Sequence, residues 1–464
     1  MEALDADKIN IFVPADHRAP AEWVLKWLFT EILHLEVILL AHAGEHIEIR
    51  LQGKVLSIAC DFFRLNKPSW LQPGSLVVEP REDWMDVDRT LAADLTARSI
   101  PVLWGRQGFL QTVQGNGQLH LDVIGSIFFM LSRYEELVKA SRDQNDRFPA
   151  AASLAVERGF LYRPIVDEYI EILWSAMVKV WPQLTRPPTA GAMVVTCDVD
   201  EPYERWISSP WLLAQGLAGA LLRRRSVGCA SRRLKNAWCS RRGRFQFDPK
   251  WNFAWYMSAL ESHGHRGIFY FIPTSGRTQF DCTYSLTERR MQALLKSLSD
   301  RGHQIGMHGS YTTYRNAALI ERERRSLINA CRSAGAAAAV SGNRQHYLRW
   351  DAGQTADHLE HAGFTYDSSG GYPDNPGFRY GTTRTFPMWS WIRHAPLKLR
   401  QHPLILMEGS VISYLKLGYS AEAFELMRTL KRAALKYGDF TMLWHNSHLS
   451  TPEDVGLFSD ILAA

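Results

Sequence analysis

The chain has 464 residues, 46% hydrophobic and 22% charged, which excludes a disordered polypeptide and leaves length for two or three domains with sizeable cores. Its formal charge of +5 comes from 53 Lys and Arg against 48 Asp and Glu, too small a surplus to make the whole surface a nucleic-acid binder. Six scattered cysteines (Cys60, Cys197, Cys229, Cys239, Cys282 and Cys331), with no CxxC pair, point to reduced thiols rather than a secreted disulfide scaffold.

The opening MEALDADKINIFVP is acidic and lacks the basic start and apolar run of an export signal, so a cytoplasmic location is expected. Residues 9–14 and 55–60 read as strands. The apolar stretch 23–40 carries Lys26, Glu31, His34 and Glu36, too much charge for a bilayer span, and reads as a core-facing helix, with 23–35 as the helix proper. Residues 121–139 have apolar positions at helical spacing with RYEE on the polar face, and a second helix over 164–181 opens on a proline and stops before Pro182. TRPPTAG, residues 185–191, is a linker, which places a boundary near residue 188: an N-terminal α/β module over 1–187 and a second domain over 188–464.

After the linker, apolar β-rich runs alternate with helical patterns of 10 to 15 residues, so parallel strands joined by crossover helices are expected. Such folds gather chemistry at the carboxyl ends of the strands. The polar residues there are Asp198 and Asp200, Thr274 and Ser275, His308, Asn343 and Arg344, Asp367, and His445. Two carboxylates flanking one residue repel unless a cation or proton sits beside them, and a carboxylate with one or two imidazoles suits zinc or a similar divalent ion. A DxD pair taken alone reads equally as a turn or helix cap, and a lone histidine as a structural one; their recurrence at successive strand ends favours the metal reading.

The segments TCDVDEP, GHQIGMHGSY, GNRQHYLRWD, YDSSGGYPDNPGFRYGT and LWHNS resemble, in order and spacing, the polysaccharide deacetylase family with its NodB homology domain, over roughly residues 192–450. The likeness is greatest to a branch encoded with bacterial surface-polysaccharide genes, whose N-terminal region carries stretches like FFMLSRYEE, RFP and RPIVDEY. The resemblance implies a distorted (β/α) barrel and a metal-dependent hydrolase. By the same resemblance Asp198 is the catalytic base, Arg344 orients it, His445 is the general acid, and Asp200 and His308 bind the metal, zinc in the first instance. The family's second histidine, four residues after His308, is replaced by Thr312, and His346 in GNRQH is the candidate for the missing ligand.

Trp444 and Asp367 are candidate substrate-binding residues, the first for stacking on a sugar ring and the second for a hydroxyl; a core tryptophan and a turn or cap aspartate are the competing readings. Residues 205–247 form an insertion with ten basic residues and no acidic one, so the remainder of the chain is net −5. A cationic amphipathic segment of this kind suits peripheral contact with the inner face of a membrane, or an acidic glycan; a solvated loop is the alternative. Nucleic-acid recognition motifs are lacking. The expected activity is removal of an acetyl group, N-acetyl before O-acetyl, from an amino sugar of an acetylated surface glycan or its lipid-linked saccharide precursor. An amidase acting on a non-sugar C–N bond and, because of Thr312, a non-catalytic glycan-binding relative remain open.

Overall fold

Alternating apolar residues and tight turns build the first half of the chain into β1 (Ile9–Pro14), β2 (Val37–His42), β3 (Ile47–Leu51), β4 (Lys54–Ile58), β5 (Trp84–Asp86), β6 (Ser99–Pro101), β7 (Gly105–Val113) and β8 (Asn116–Leu121). The computed structural model describes residues 8–464 apart from 17, 77–83, 88–90, 92, 208, 224, 275–277 and 338, so Ser275 lies outside the described residues. Six strands make one mixed sheet in the order β2-β1-β3-β4-β8-β7, and β5 pairs with β6 separately.

The apolar stretch 23–40 is not one helix. The helix Arg18–Lys26 continues as a wider turn over Trp27–Ile32, His34 turns left-handed at φ 54°, and Val37 and Ile38 enter β2. Parallel pairing with β1, Ile9 opposite Val37, outweighs helical propensity for these β-branched residues. The helix expected over 121–139 is also divided. Asp122 caps the helix Val123–Ser132, Arg133 takes φ 54°, and a short helix Tyr134–Val138 follows. The break lets the buried Arg133 guanidinium donate to Glu135 and Glu136, both at 2.7 Å. Helix Ile165–Val180 matches the second expected helix within a residue at each end.

The second sheet comprises β9 (Met193–Val199), β10 (Ile268–Phe271), β11 (Gln304–Gly309), β12 (Gly342–Gln345), β13 (Tyr366–Asp367), β14 (Phe386–Ser390), β15 (Ala395–Gln401), β16 (Leu406–Met407) and β17 (Phe440–Leu443). Their order is β14-β15-β13-β12-β11-β10-β9-β17-β16, and every neighbour is parallel except β14 with β15. Near-continuous burial along β9, β10 and β12 is what a parallel sheet covered on both faces requires. Gly306 and Gly342 admit aromatic rings against the backbone: a Cβ on them would meet the Tyr270 ring at 2.4 Å and the Tyr366 ring at 2.1 Å.

Of the expected distorted barrel the structure forms a curled half-barrel, a mixed α/β sheet that does not close into a full ring. Among the described residues its edges β14 and β16 do not pair with each other. Irregular chain is tied to the residue before β16 and to the first half: Gly377 N donates to Ile405 O at 2.7 Å, and Phe378 N donates to Leu161 O at 2.8 Å.

Residues 185–191 have no regular structure, yet the halves on either side share a core. Trp389 and Trp391 pack with Trp23, Phe128 and Tyr134. Indole N–H groups bridge the halves: Trp23 to Pro387 O at 3.0 Å, Trp27 to Thr385 O at 3.0 Å and Trp391 to Ser132 O at 2.9 Å. Beside them Glu136 accepts from Arg379 at 2.7 and 2.9 Å. Among the described residues no helix is long and apolar enough to cross a membrane.

Candidate functional site

The parallel register brings distant residues together. Asp198 on β9 is opposite Tyr270 on β10, and His308 on β11 is opposite Arg344 on β12. Asp200 follows β9 directly and His346 follows β12 directly. Asp200 Oδ1 lies 3.2 Å from His308 Nε2 and 3.7 Å from His346 Nε2, and His308 Nε2 is 3.6 Å from Asp198 Oδ2.

His308 Nδ1 is 2.8 Å from Arg344 O. A carbonyl can only accept, so Nδ1 carries the hydrogen, and in the neutral ring Nε2 presents its lone pair to the two carboxylates. Asp200 Oδ1 is buried and accepts no hydrogen bond among the described residues. An oxygen and two imidazole nitrogens converging in this way fit a divalent cation, and their ligand atoms lie within 4.8 Å of one another. His346 Nδ1 faces Asp281 Oδ1 at 3.6 Å, and that carboxylate is itself held by Tyr311 N and Thr278. Carbonyl and carboxylate partners of this kind orient ligating histidines. Burial works against the charge on Asp200, but His346 and His308 hold its carboxyl well below the usual carboxylate range. Burial likewise opposes protonation of His346, and Asp200 with Asp281 pushes it up to about 9. A cation would take the place of that proton. Thr312, the position where a second histidine was expected, is solvent-exposed beyond the end of β11.

Beside this cluster stands Asp198 with Arg344. The guanidinium is fully buried, 3.6 Å from Asp198 Oδ1, and is fixed by donating to Thr196 Oγ1 at 3.1 Å and Ser368 Oγ at 3.0 Å. His445 also borders the cluster. Its Nδ1 is engaged by Glu408 Oε1 at 2.5 Å, and its Nε2 lies 3.6 Å from Asp200 Oδ2. Burial disfavours the imidazolium, but Glu408 outweighs it and pushes His445 up to about 10. His448 Nδ1 is 2.8 Å from the same glutamate oxygen.

Asp198, Asp200, Asp281, His308, His346, His445 and His448 line one cavity of about 400 Å³, inside the usual range for small-molecule sites, with Arg344 and Glu408 buried behind them. Phe280, Tyr347 and Tyr414 add aromatic surface to its wall. Arg147 of the first half also reaches it, donating to Tyr347 O at 3.1 Å while paired with Asp143 at 2.7 Å. Tyr347 and Leu348 both have left-handed backbones, φ 61° and 54°. Non-glycine residues in that region each cost about 1–3 kcal/mol, so the loop carrying His346 is held by its surroundings.

Two expected substrate contacts are placed elsewhere. Trp444 is fully buried, its indole N–H bonded to His448 O and its ring against Phe458. Asp367 is fully buried as well, accepting from Asn343, Ser369 and Gln401 beneath the site. Neither lines the cavity. Trp350, Trp389 and Trp391 are also core residues. Thr274 donates to Glu323, which also accepts from Ser310, and so ties two strand ends together. Glu408 and Asp281 carried no motif that singled them out, and Arg147 lies in the RFP stretch without a role having been assigned to it. The regular signal nearest to Glu408 is the two-residue strand β16 just before it.

Residues 9–182 match a family of unknown function, DUF7033. No curated protein matches the chain. Among solved structures, the chain is similar to a protein described as a polysaccharide deacetylase from Mycobacterium smegmatis, at 16% identity and TM-score 0.39 over 60% of this chain and 84% of that one. A second similar structure, described as a polysaccharide deacetylase from Pseudomonas aeruginosa PAO1, has 14% identity and TM-score 0.33 over 60% and 88%. A third, Puue allantoinase, has 12% identity and TM-score 0.36 over 60% of this chain and 87% of its own.

Proposed function

We propose that the chain is a metal-dependent hydrolase that removes an acetyl group, N-acetyl in the first instance, from an amino sugar of an acetylated surface glycan. The observation that carries the reading is that the candidate metal cluster of Asp200, His308 and His346 shares its cavity with two oppositely equipped groups: Asp198, paired with Arg344, and His445, held by Glu408. Hydrolysis of an amide needs a base for water and an acid for the departing nitrogen, and this arrangement supplies one of each on a shared cavity.

Asp200, His308 and His346 would hold the cation, zinc by the chemistry of the donor set, which when bound supplies Lewis-acid polarisation of the acetamide carbonyl and a more acidic water. Asp198 accepts the proton as the water oxygen adds to the carbonyl carbon, and Arg344 fixes the carboxylate that receives it. His445 then gives its Nε2 proton to the sugar nitrogen as the C–N bond breaks, releasing acetate and a free amine. Phe280, Tyr347 and Tyr414 offer apolar faces for a pyranose ring.

The test is acetate release from N-acetylglucosamine oligomers by zinc-loaded protein, with Asp198→Asn alongside. Release by the wild type and its loss in a variant that still binds zinc supports the assignment. Zinc binding without acetate release from any acetylated sugar would favour a glycan binder, and hydrolysis of a non-sugar amide alone would favour the amidase.

A further inference from the structure

The insertion 205–247 folds as a helical hairpin. Helix Pro210–Ala218 runs through a wider turn at Gly219–Arg223, and helix Val227–Ser240 returns. The two arms are fastened: Trp206 packs on Gly216, Arg233 lies over the Trp206 ring at 4.1 Å and donates to Gly216 O. The root is tied to the body by Asp248, which accepts from Asn236 at 3.2 Å and from Glu204 N at 3.0 Å.

Its outward face has the composition of a buried one. Along the first arm the exposed side chains include Trp211, Ala214, Ala218, Leu221 and Leu222, recurring at helical spacing, and the second arm exposes Val227, Leu234 and Trp238. Leu222 is 78% exposed, Val227 75% and Trp211 65%. Seven of the eighteen exposed large hydrophobic side chains among the described residues fall in this segment, which is under a tenth of the chain. Exposed Arg225, Arg232, Lys235, Arg241, Arg242 and Arg244 border them, and there is no acidic residue to oppose them.

We infer that this hairpin docks the protein on an anionic lipid bilayer, with Trp211, Leu222 and Val227 entering the headgroup boundary and the flanking arginines on lipid phosphates. A bilayer meets both halves of the surface: apolar side chains gain burial, and the cations gain a surface of opposite sign. A second copy of the same face would set its six exposed basic residues against six, and a nucleic-acid backbone offers nothing to Leu222 and Val227. The root of the hairpin, Glu201 and Arg205, lines the candidate catalytic cavity. On the hydrolase reading, the site would therefore work next to the membrane on a saccharide carried by a lipid.

The full-length protein is to be floated with phosphatidylcholine vesicles, and with vesicles of phosphatidylcholine mixed with phosphatidylglycerol. Binding is expected to the mixed vesicles and to fall with added salt. A near-surface basic residue contributes a factor of about five, so Arg225→Ser, Arg232→Ser and Arg241→Ser together should weaken binding roughly 100-fold. Trp211→Ser, Leu222→Ser and Val227→Ser together should abolish flotation while leaving zinc binding and circular dichroism unchanged. Absence of flotation, equal binding to neutral vesicles, or indifference to both triple variants would overturn the inference. So would concentration-dependent self-association without lipid that the apolar triple variant removes, since it assigns the face to a second copy. Flotation requires no turnover, so its failure and failure of the hydrolase reading are separate results.

Discussion

His346→Ala removes one of three converging donors, since Asp200 Oδ1 stands 3.2 Å from His308 Nε2 and 3.7 Å from His346 Nε2. A four-ligand structural zinc site is worth about 10–16 kcal/mol, or about 3–4 kcal/mol a ligand, so loss of one imidazole should weaken zinc by about 10²–10³. The effect should also appear as stability. A ligand at a hundred times its Kd raises the unfolding free energy by about 2.7 kcal/mol, and zinc at that level for the wild type should leave the variant nearly unprotected. Chelator-competition titration gives the affinity and thermal unfolding with and without zinc gives the protection. Thr312→His is the informative control: the residue is exposed beyond β11, so an imidazole there should neither tighten zinc nor rescue His346→Ala. Zinc affinity within a few fold of wild type in His346→Ala, or rescue by Thr312→His, would refute the assignment of the third ligand.

Asp198→Asn should keep zinc and fold but cut turnover by about 10²–10⁴, measured as acetate release, and unchanged turnover removes Asp198 from the base role. Glu408→Gln should leave KM for an acetylated oligosaccharide nearly constant and lower kcat about 10- to 100-fold, because His445 loses the charge that orients it, with Glu408→Asp recovering part of the loss. Burial opposes the charge on Glu136, yet Arg379 and Arg133 bring its carboxyl down from 4.5 to about 2. A depressed folded-state pKa contributes stability that is complete above the unfolded value and lost as pH falls through the folded one, so about 3 kcal/mol should disappear between about pH 4.5 and pH 2. Chemical denaturation should show Glu136→Gln clearly less stable than wild type at neutral pH, with the gap narrowing across that window; a gap constant with pH counts against the buried pairing.

The strand ends were legible because strands buried on both faces appear as unbroken apolar runs, and the first polar residue after each run is at the sheet's carboxyl edge. Asp198 and His308 are therefore readable from residues 192–200 and 305–308, whereas β12 is the polar run GNRQ and Arg344 took its role from the resemblance. Glu408 was hidden because β16 spans two residues and pairs only with β17, giving no periodicity to detect. Arg147 was visible in the RFP stretch, but its place at the cavity was not: it reaches Tyr347 across 200 positions from the other half, a contact that no local pattern encodes. Trp444 was misplaced because consecutive side chains at a strand end point to opposite faces, so the neighbour of a cavity histidine belongs to the core.

The bond from Arg147 to Tyr347 O turns the loop of His346 into a gauge of the distant half. A fragment beginning at the linker would uncover Trp389 and Trp391 and would also release the two left-handed residues that aim His346, so its first symptom would be poor metal retention rather than a missing ligand. Any construction kit that treats residues 188–464 as an interchangeable catalytic cassette would inherit the ligands without the clamp that sets their aim.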